Sequence, residues 1–277
     1  MKVNLWGVRG SIQTSGPDTK NYGTRTSCTM VSEDDKVLIL DAGSGIQQFN
    51  SAAYPHKRID VLLTHLHMDH ILGLGFFSPF FDPEKEVHIW GPATPTQTLR
   101  SRLSRYLSPP LFPVLLRDLP CKLIFHEIGN SDFEVNHLKV KSRYVIHPGP
   151  TVGFRVMGKR SAFTYIPDHE PALGLNGMIK DSKWISGYDL AADADLLYHD
   201  GQYTDAEYQT KKGWGHSSME DALLFASCCQ VKKLLIAHHD PSHTDEQLNQ
   251  IFRNLQLNHK DLFEYAMAGE GNEFQLP

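Results

Sequence analysis

The stretch Ile59-Asp60-Val61-Leu62-Leu63-Thr64-His65-Leu66-His67-Met68-Asp69-His70 joins an apolar run to four side chains able to bind a metal, His65, His67, Asp69 and His70. A buried strand ending at Thr64 fixes His65, and a tight turn after it carries the other three to the same rim. Imidazole and carboxylate together suit zinc-like divalent ions. One histidine on a turn is ordinarily a solvated or hydrogen-bonded side chain, and a short histidine tract can be incidental. Here the apolar run precedes the ligands and Ile71-Leu72-Gly73-Leu74-Gly75 follows them. The packed context argues for a built site.

The rest of the chain gives that site a frame. With 277 residues and 40% hydrophobic content the chain can bury a large core, and residues 1–277 read as one domain because no linker, charge block or repeat divides them. Ser108-Pro109-Pro110 to Pro113 and Ile146-His147-Pro148-Gly149-Pro150 are too short to be linkers and read as loops. The 15 histidines are the compositional outlier, against about six from ordinary usage near 2%. Net charge is −5, which opposes a broad electrostatic footprint for long nucleic acid. Cys28, Cys121, Cys228 and Cys229 show no Cys-x-x-Cys spacing. They imply a reduced, cytoplasmic protein. The start, Met1 to Gly7, lacks the apolar core of a secretory signal, and no stretch approaches the ~18 apolar residues of a membrane span.

Strand-like runs recur at Val3 to Val8, Val37 to Asp41, Asp60 to Thr64, Val87 to Trp90, Lys122 to His126, Leu138 to Val145, Thr151 to Met157, Ala162 to Ile166, Asp195 to His199 and Lys233 to His238. Those of the first half are expected to pair as hairpins. Helices are expected over Thr94 to Leu107, Ser217 to Cys229 and Thr244 to Leu255, each opening on Ser or Thr, with capping-box spacing in Ser217-Ser218-Met219-Glu220. His147, Asp168, the pair His199-Asp200 and His238 each follow an apolar strand. Sheets sharing one edge would gather these ends into one cleft.

In this order, the hairpin ending in Leu38-Ile39-Leu40-Asp41-Ala42-Gly43, the run His65 to His70, then His147, Asp168 and His238, the chain resembles the metallo-β-lactamase superfamily of metallohydrolases over nearly its whole length. The resemblance implies an α/β fold, a four-layer αββα sandwich, with two divalent metal ions at the sheet edges. Carried over by position, one ion is held by His65, His67 and His147, the other by Asp69, His70 and His238, with Asp168 bridging. Zinc fits these donors best, manganese, iron or cobalt being the alternatives. His239 competes with His238, which is preferred because it comes first off the strand.

Within the superfamily, Gly213-Trp214-Gly215-His216-Ser217-Ser218 resembles the Gly-His-Ser segment of the ribonuclease Z-like phosphodiesterases. Asp200 matches that group's acidic partner, where Glu is more usual. Leu5-Trp6-Gly7-Val8-Arg9-Gly10-Ser11 and Tyr22-Gly23-Thr24-Arg25-Thr26-Ser27-Cys28 look like the branch holding cyclic-nucleotide phosphodiesterases, anti-Pycsar enzymes among them. Neither is a P-loop, and Arg9 reads equally as a structural arginine bonding loop carbonyls. The resemblance implies a small phosphodiester substrate, foremost a 3′,5′-cyclic nucleotide cleaved to a nucleoside monophosphate. His216 would protonate the leaving oxygen, Asp200 would orient it, and Asp69 would be both ligand and proton acceptor.

Ribonuclease Z proteins carry a long basic arm, often between the positions of His147 and Asp168, and the gap here is too short for one. A β-lactamase role is opposed by Asp168, where that branch has Cys. Tyr106, Phe112, Tyr188 and Trp214 are candidates to stack on a base. Gly201 to Lys212, with Tyr203 and Tyr208, is expected to form a flap or a dimer contact, since members of the family often form homodimers. The other readings are a different hydrolase of the superfamily, and a metal-binding sensor without turnover.

Overall fold

The computed structural model describes residues 1–172, 178–179, 181–260 and 262–277. The strands are β1 (Lys2–Gly7), β2 (Cys28–Glu33), β3 (Lys36–Leu40), β4 (Arg58–Leu62), β5 (Glu86–Pro92), β6 (Lys122–Ile128), β7 (Ser131–Val135), β8 (Leu138–Tyr144), β9 (Val152–Met157), β10 (Ala162–Ile166), β11 (Leu196–Asp200), β12 (Lys233–Ala237), β13 (Glu264–Met267) and β14 (Glu273–Gln275). They form two seven-stranded mixed sheets, ordered β14-β1-β2-β3-β4-β5-β6 and β13-β12-β11-β10-β9-β8-β7. The α-helices are α1 (Met68–Ile71), α2 (Leu99–Tyr106), α3 (Tyr188–Ala191), α4 (Asp205–Tyr208), α5 (Met219–Cys228) and α6 (Asp245–Asn258).

Alternation along the strands sorts the side chains into three cores. Val3, Leu5, Leu38, Leu40 and Leu62 of one sheet meet Phe154, Phe163, Tyr165, Tyr198 and Leu235 of the other in the space between them. On the outer face of the first sheet, Ile39, Val61 and Ile89 pack with Leu99 and Leu103 of α2. Outside the second sheet, Ile166, Leu197 and Ile236 pack with Leu223 and Phe225 of α5 and with Leu248 and Leu255 of α6. This is the expected αββα sandwich. Among the described residues, no helix is long and apolar enough to cross a membrane.

In the first sheet the hairpins run from β1 to β3, whereas β3, β4, β5 and β6 run parallel. In the second sheet β10 to β13 are parallel as well. The C-terminal ends of β4, β10, β11 and β12 therefore open on one edge, which is where the ligand candidates lie. Two of the three expected helices start later than the sequence suggests, while α6 keeps its opening at Thr244. Thr94 binds the Gln97 carbonyl in a turn, and Thr98 caps α2 through the Ser101 amide. Ser217 donates to the His169 carbonyl, so Ser218 caps α5 and the expected box with Glu220 is absent. The reciprocal box forms instead at Thr244 and Gln247 of α6.

Candidate metal centre

Three histidines of the cluster, His65, His70 and His147, are each fixed by the nitrogen that faces away from it. Asp41, fully buried in a left-handed conformation just past β3, accepts from the Thr64 amide (2.7 Å) and hydroxyl (3.0 and 3.1 Å). With the hydroxyl so committed, His65 Nδ1 donates to Thr64 Oγ1 at 3.0 Å and Nε2 is left as the free lone pair. Asp41 also accepts from His70 Nδ1 at 2.8 Å, with the same result. His147 Nδ1 donates to the Gly215 carbonyl at 2.7 Å. Partners of this kind fix the tautomer and ring orientation of metal-binding imidazoles.

The free atoms converge. His65, His67, His147 and Asp168 form one set, and Asp69, His70, Asp168 and His238 another, with ligand atoms within 4.8 Å of one another in each. Asp168 belongs to both. Its Oδ2 lies 3.6 Å from His65 Nε2 and from His147 Nε2, and its Oδ1 lies 3.0 Å from His70 Nε2 and 3.3 Å from His238 Nε2. His65 Nε2, His70 Nε2 and Asp168 Oδ1 are buried without a hydrogen-bond partner, a costly arrangement unless a cation satisfies them. The residues fit two divalent ions.

Electrostatics favour the same reading. Burial, the leading effect, holds His65, His67 and His147 below the ordinary imidazole range. At His70 and His238 burial is outweighed: Asp168, Asp69 and Asp41 push His70 well up, and Asp168 with the Asp69 hydrogen bond pushes His238 up to about 9. Burial would raise Asp69 and Asp168, but the neighbouring histidines hold both far below the carboxylate range. Permanently charged buried carboxylates thus draw protons onto imidazoles, and divalent ions supply that positive charge instead.

Asp69 is held by the amide of Ser11, 2.8 Å from Oδ2. The preceding Gly10 presses against His238, where a Cβ would lie 2.4 Å from Nδ1, so the approach requires glycine. His238 itself sits at φ +60, just after β12 ends. That turn sends the next side chain elsewhere: His239 donates through Nε2 to the Ala268 carbonyl at 2.8 Å, and burial pushes it down to about 3. His238→Ala is accordingly expected to lose metal while His239→Ala retains it, as metal analysis of the two purified variants will show.

Beside the cluster, His216 Nδ1 binds Asp200 Oδ2 at 2.7 Å, and its ring stacks on His238 with centroids 5.0 Å apart. Asp200 is buried at the end of β11 and also accepts from the amides of His169 (3.2 Å) and Gln202 (3.0 Å). A cleft of about 370 Å³ opens from His65 and His67 toward Arg102, Arg105 and Tyr106 of α2.

Other expectations are corrected. Arg9 is fully buried and binds the carbonyls of Gly23 (2.8 Å), Asp240 (3.3 Å) and His243 (2.7 Å), the structural alternative. Within segment 201–212, Tyr203 is buried edge-on to His216, and Tyr208 is buried and donates to Glu170. Phe112 belongs to the core outside the first sheet, and Tyr188 packs with the core outside the second. Tyr106 lines the cleft and Trp214 is 60% exposed on the loop before His216. Asp41, Gly10 and Ser11 lie in the stretches that carry the family resemblance, but no role attaches to them by motif, and His169 and Glu170 lie in no such stretch. Their signal is the polar triplet Asp168-His169-Glu170 after an apolar strand.

Residues 36–239 match the family model of the beta-lactamase superfamily domain, and the chain belongs to that superfamily. More particularly, it is similar to the ribonuclease Z-like branch and is a metal-dependent hydrolase. It is 27% identical to a ribonuclease Z from Azobacteroides pseudotrichonymphae, the match covering 88% of this chain and 90% of the relative. In fold it is similar to the metallo-beta-lactamase fold protein YhfI from Bacillus subtilis, with TM-score 0.71, 19% identity and 99% of each chain covered. It is also similar to a diphosphatase from the PhnP family, with TM-score 0.68, 19% identity, and 99% and 97% covered.

Proposed function

We propose that the protein is a dinuclear phosphodiesterase that hydrolyses small phosphodiesters, 3′,5′-cyclic nucleotides foremost, to nucleoside monophosphates. The observation that carries the reading is the His216–Asp200 pair, 2.7 Å apart, set beside two ligand sets that share Asp168. When bound, two divalent ions polarise a phosphoryl oxygen, supply hydroxide near neutral pH and offset charge in an in-line displacement. Zinc suits the mixed imidazole and carboxylate donors, with manganese or iron as alternatives.

The chain's own part is positional. Asp69, held by Ser11, is placed to accept a proton from the attacking oxygen. Asp200 fixes Nδ1 of His216, which leaves Nε2 as the nitrogen for proton transfer to the expelled ribose oxygen. Arg102 and Arg105 line the cleft beyond the metal ligands, and among the described residues neither forms an ion pair with a carboxylate. The cleft's volume is within the range of small-ligand sites.

Support for a small substrate comes from the segment between His147 and Asp168, which holds only the β9–β10 hairpin, and from the net negative charge. The ribonuclease Z names of the curated relatives favour a second reading, cleavage of RNA at the same centre. On the first reading the protein works in the cytoplasm as a homodimer. Turnover of the zinc-loaded protein against cyclic nucleotides and a tRNA precursor separates the readings. Cyclic nucleotides are expected to be hydrolysed and the precursor left intact. Two bound ions with no hydrolysis of any phosphodiester would overturn the proposal and favour a sensor or a non-phosphodiester substrate.

A further inference from the structure

We infer that Glu170 is a positioning residue for the acid end of the site, clamping the loop that carries His216. Its carboxylate is 1% exposed and accepts three hydrogen bonds: from the Gly213 amide (2.7 Å), the Gly215 amide (2.7 Å) and the Tyr208 hydroxyl (2.8 Å). Gly213 and Gly215 both adopt positive φ, +84° and +90°, and their amides reach the same carboxylate across the turn. Among the described residues no lysine or arginine pairs with Glu170. A buried carboxylate satisfied by two loop amides and the hydroxyl of Tyr208 fixes that loop, because displacing the loop would strand the charge.

The clamped loop serves both halves of the centre. The Gly215 carbonyl accepts a hydrogen bond from His147 Nδ1, and a Cβ at Gly215 would lie 2.5 Å from that nitrogen. The next residue is His216, held at Asp200. Glu170 is also tied to the metal side through its own backbone, for its amide donates to the Ile146 carbonyl (2.9 Å), one residue before His147. Its neighbour His169 donates its amide to Asp200 (3.2 Å) and accepts from Ser217 (2.6 Å) at its carbonyl. Three consecutive residues therefore set three things: Asp168 the shared ligand position, His169 the orientation of Asp200, and Glu170 the loop that presents His216. A shift of the loop by a fraction of an ångström would move the proton donor relative to the leaving oxygen.

The inference rests on the reading of His216 as the proton donor, and the test separates the two. Glu170→Gln keeps the size of the side chain but offers one acceptor where two loop amides need one each, and sets an NH2 group against the other. The probe is a series of aryl esters of one nucleoside 5′-phosphate whose phenols differ in acidity, assayed with zinc-loaded full-length protein. Glu170→Gln is expected to retain both ions, to hydrolyse the 4-nitrophenyl ester within a few-fold of the parent, and to fall ~10-fold or more behind it on the phenyl ester, where the leaving group needs a proton. His216→Ala is expected to show the same leaving-group dependence, and adding Glu170→Gln to it no further loss. Glu170→Asp, which keeps the charge on a shorter arm, is expected to fall between, and serves the same comparison should the Gln variant not fold. Equal slowing on every ester, or losses that multiply in the double variant, would overturn the role of Glu170 alone. Insensitivity of His216→Ala itself to the leaving group would remove the acid assignment and this inference with it.

Discussion

Asp168→Ala is expected to strip both metal ions from the protein and to abolish turnover with them. Asp168 is the carboxylate common to both ligand sets, with one oxygen within 3.6 Å of His65 and His147 and the other within 3.3 Å of His70 and His238. Two divalent ions bring four positive charges into a buried pocket, and Asp69 and Asp168 are the only carboxylates in the two sets. Removing one halves the compensation where uncompensated charge is most costly. The loss should go well beyond the ~10- to 100-fold that follows removal of an outer hydrogen-bond partner. His67→Ala is the comparison: His67 is the exposed member of the first set and absent from the second, so that set should lose its ion, and activity with it. Metal content after dialysis, measured with kcat/KM, checks both. An Asp168→Ala protein that still holds two ions would show that the sites are not joined through this residue.

His65, His147, Asp168 and His238 are legible because each follows an apolar strand, and strand ends on one edge of a sandwich have nowhere to diverge. His65 after β4, Asp168 after β10 and Asp200 at the end of β11 all follow that rule. The choice between His238 and His239 was not legible in the same way. It turns on a backbone reversal at φ +60, which no pattern of residue types announces. The cap of α5 was misplaced by one residue because Ser217 is spent on a carbonyl 48 positions earlier in the chain. The roles of Asp41 and Glu170 are hidden for a related reason. Their partners lie 29 residues away at His70 and 43 and 45 away at Gly213 and Gly215, so spacing carries no sign of them. The strands β2, β7, β13 and β14 went unread because they are short or mix polar and apolar residues without a clean apolar run.

His216→Ala is expected to keep both ions and to slow turnover by ~10²- to 10⁴-fold, the scale of a lost general acid. The metals should remain because neither of the two sets sharing Asp168 includes His216, whose Nδ1 is committed to Asp200 at 2.7 Å and stands 3.9 Å from Asp168. Yet Asp200, His216 and His238 also lie close enough together to ligate an ion, so the variant decides between two chemistries. A proton donor lost with the metals intact leaves a rate that recovers as the leaving group becomes more acidic. A ligand lost instead takes an ion with it, and the rate falls alike on every ester. Asp200→Asn extends the comparison: an amide in place of the carboxylate can turn its NH2 toward Nδ1 and select the other tautomer. Nδ1 would then accept instead of donate and the ring would stay neutral, so the proton left on Nε2 would belong to a far weaker acid than the imidazolium a carboxylate supports. Its rate should follow that of His216→Ala in leaving-group dependence while the metal content stays unchanged, which a ligand role for Asp200 would not allow.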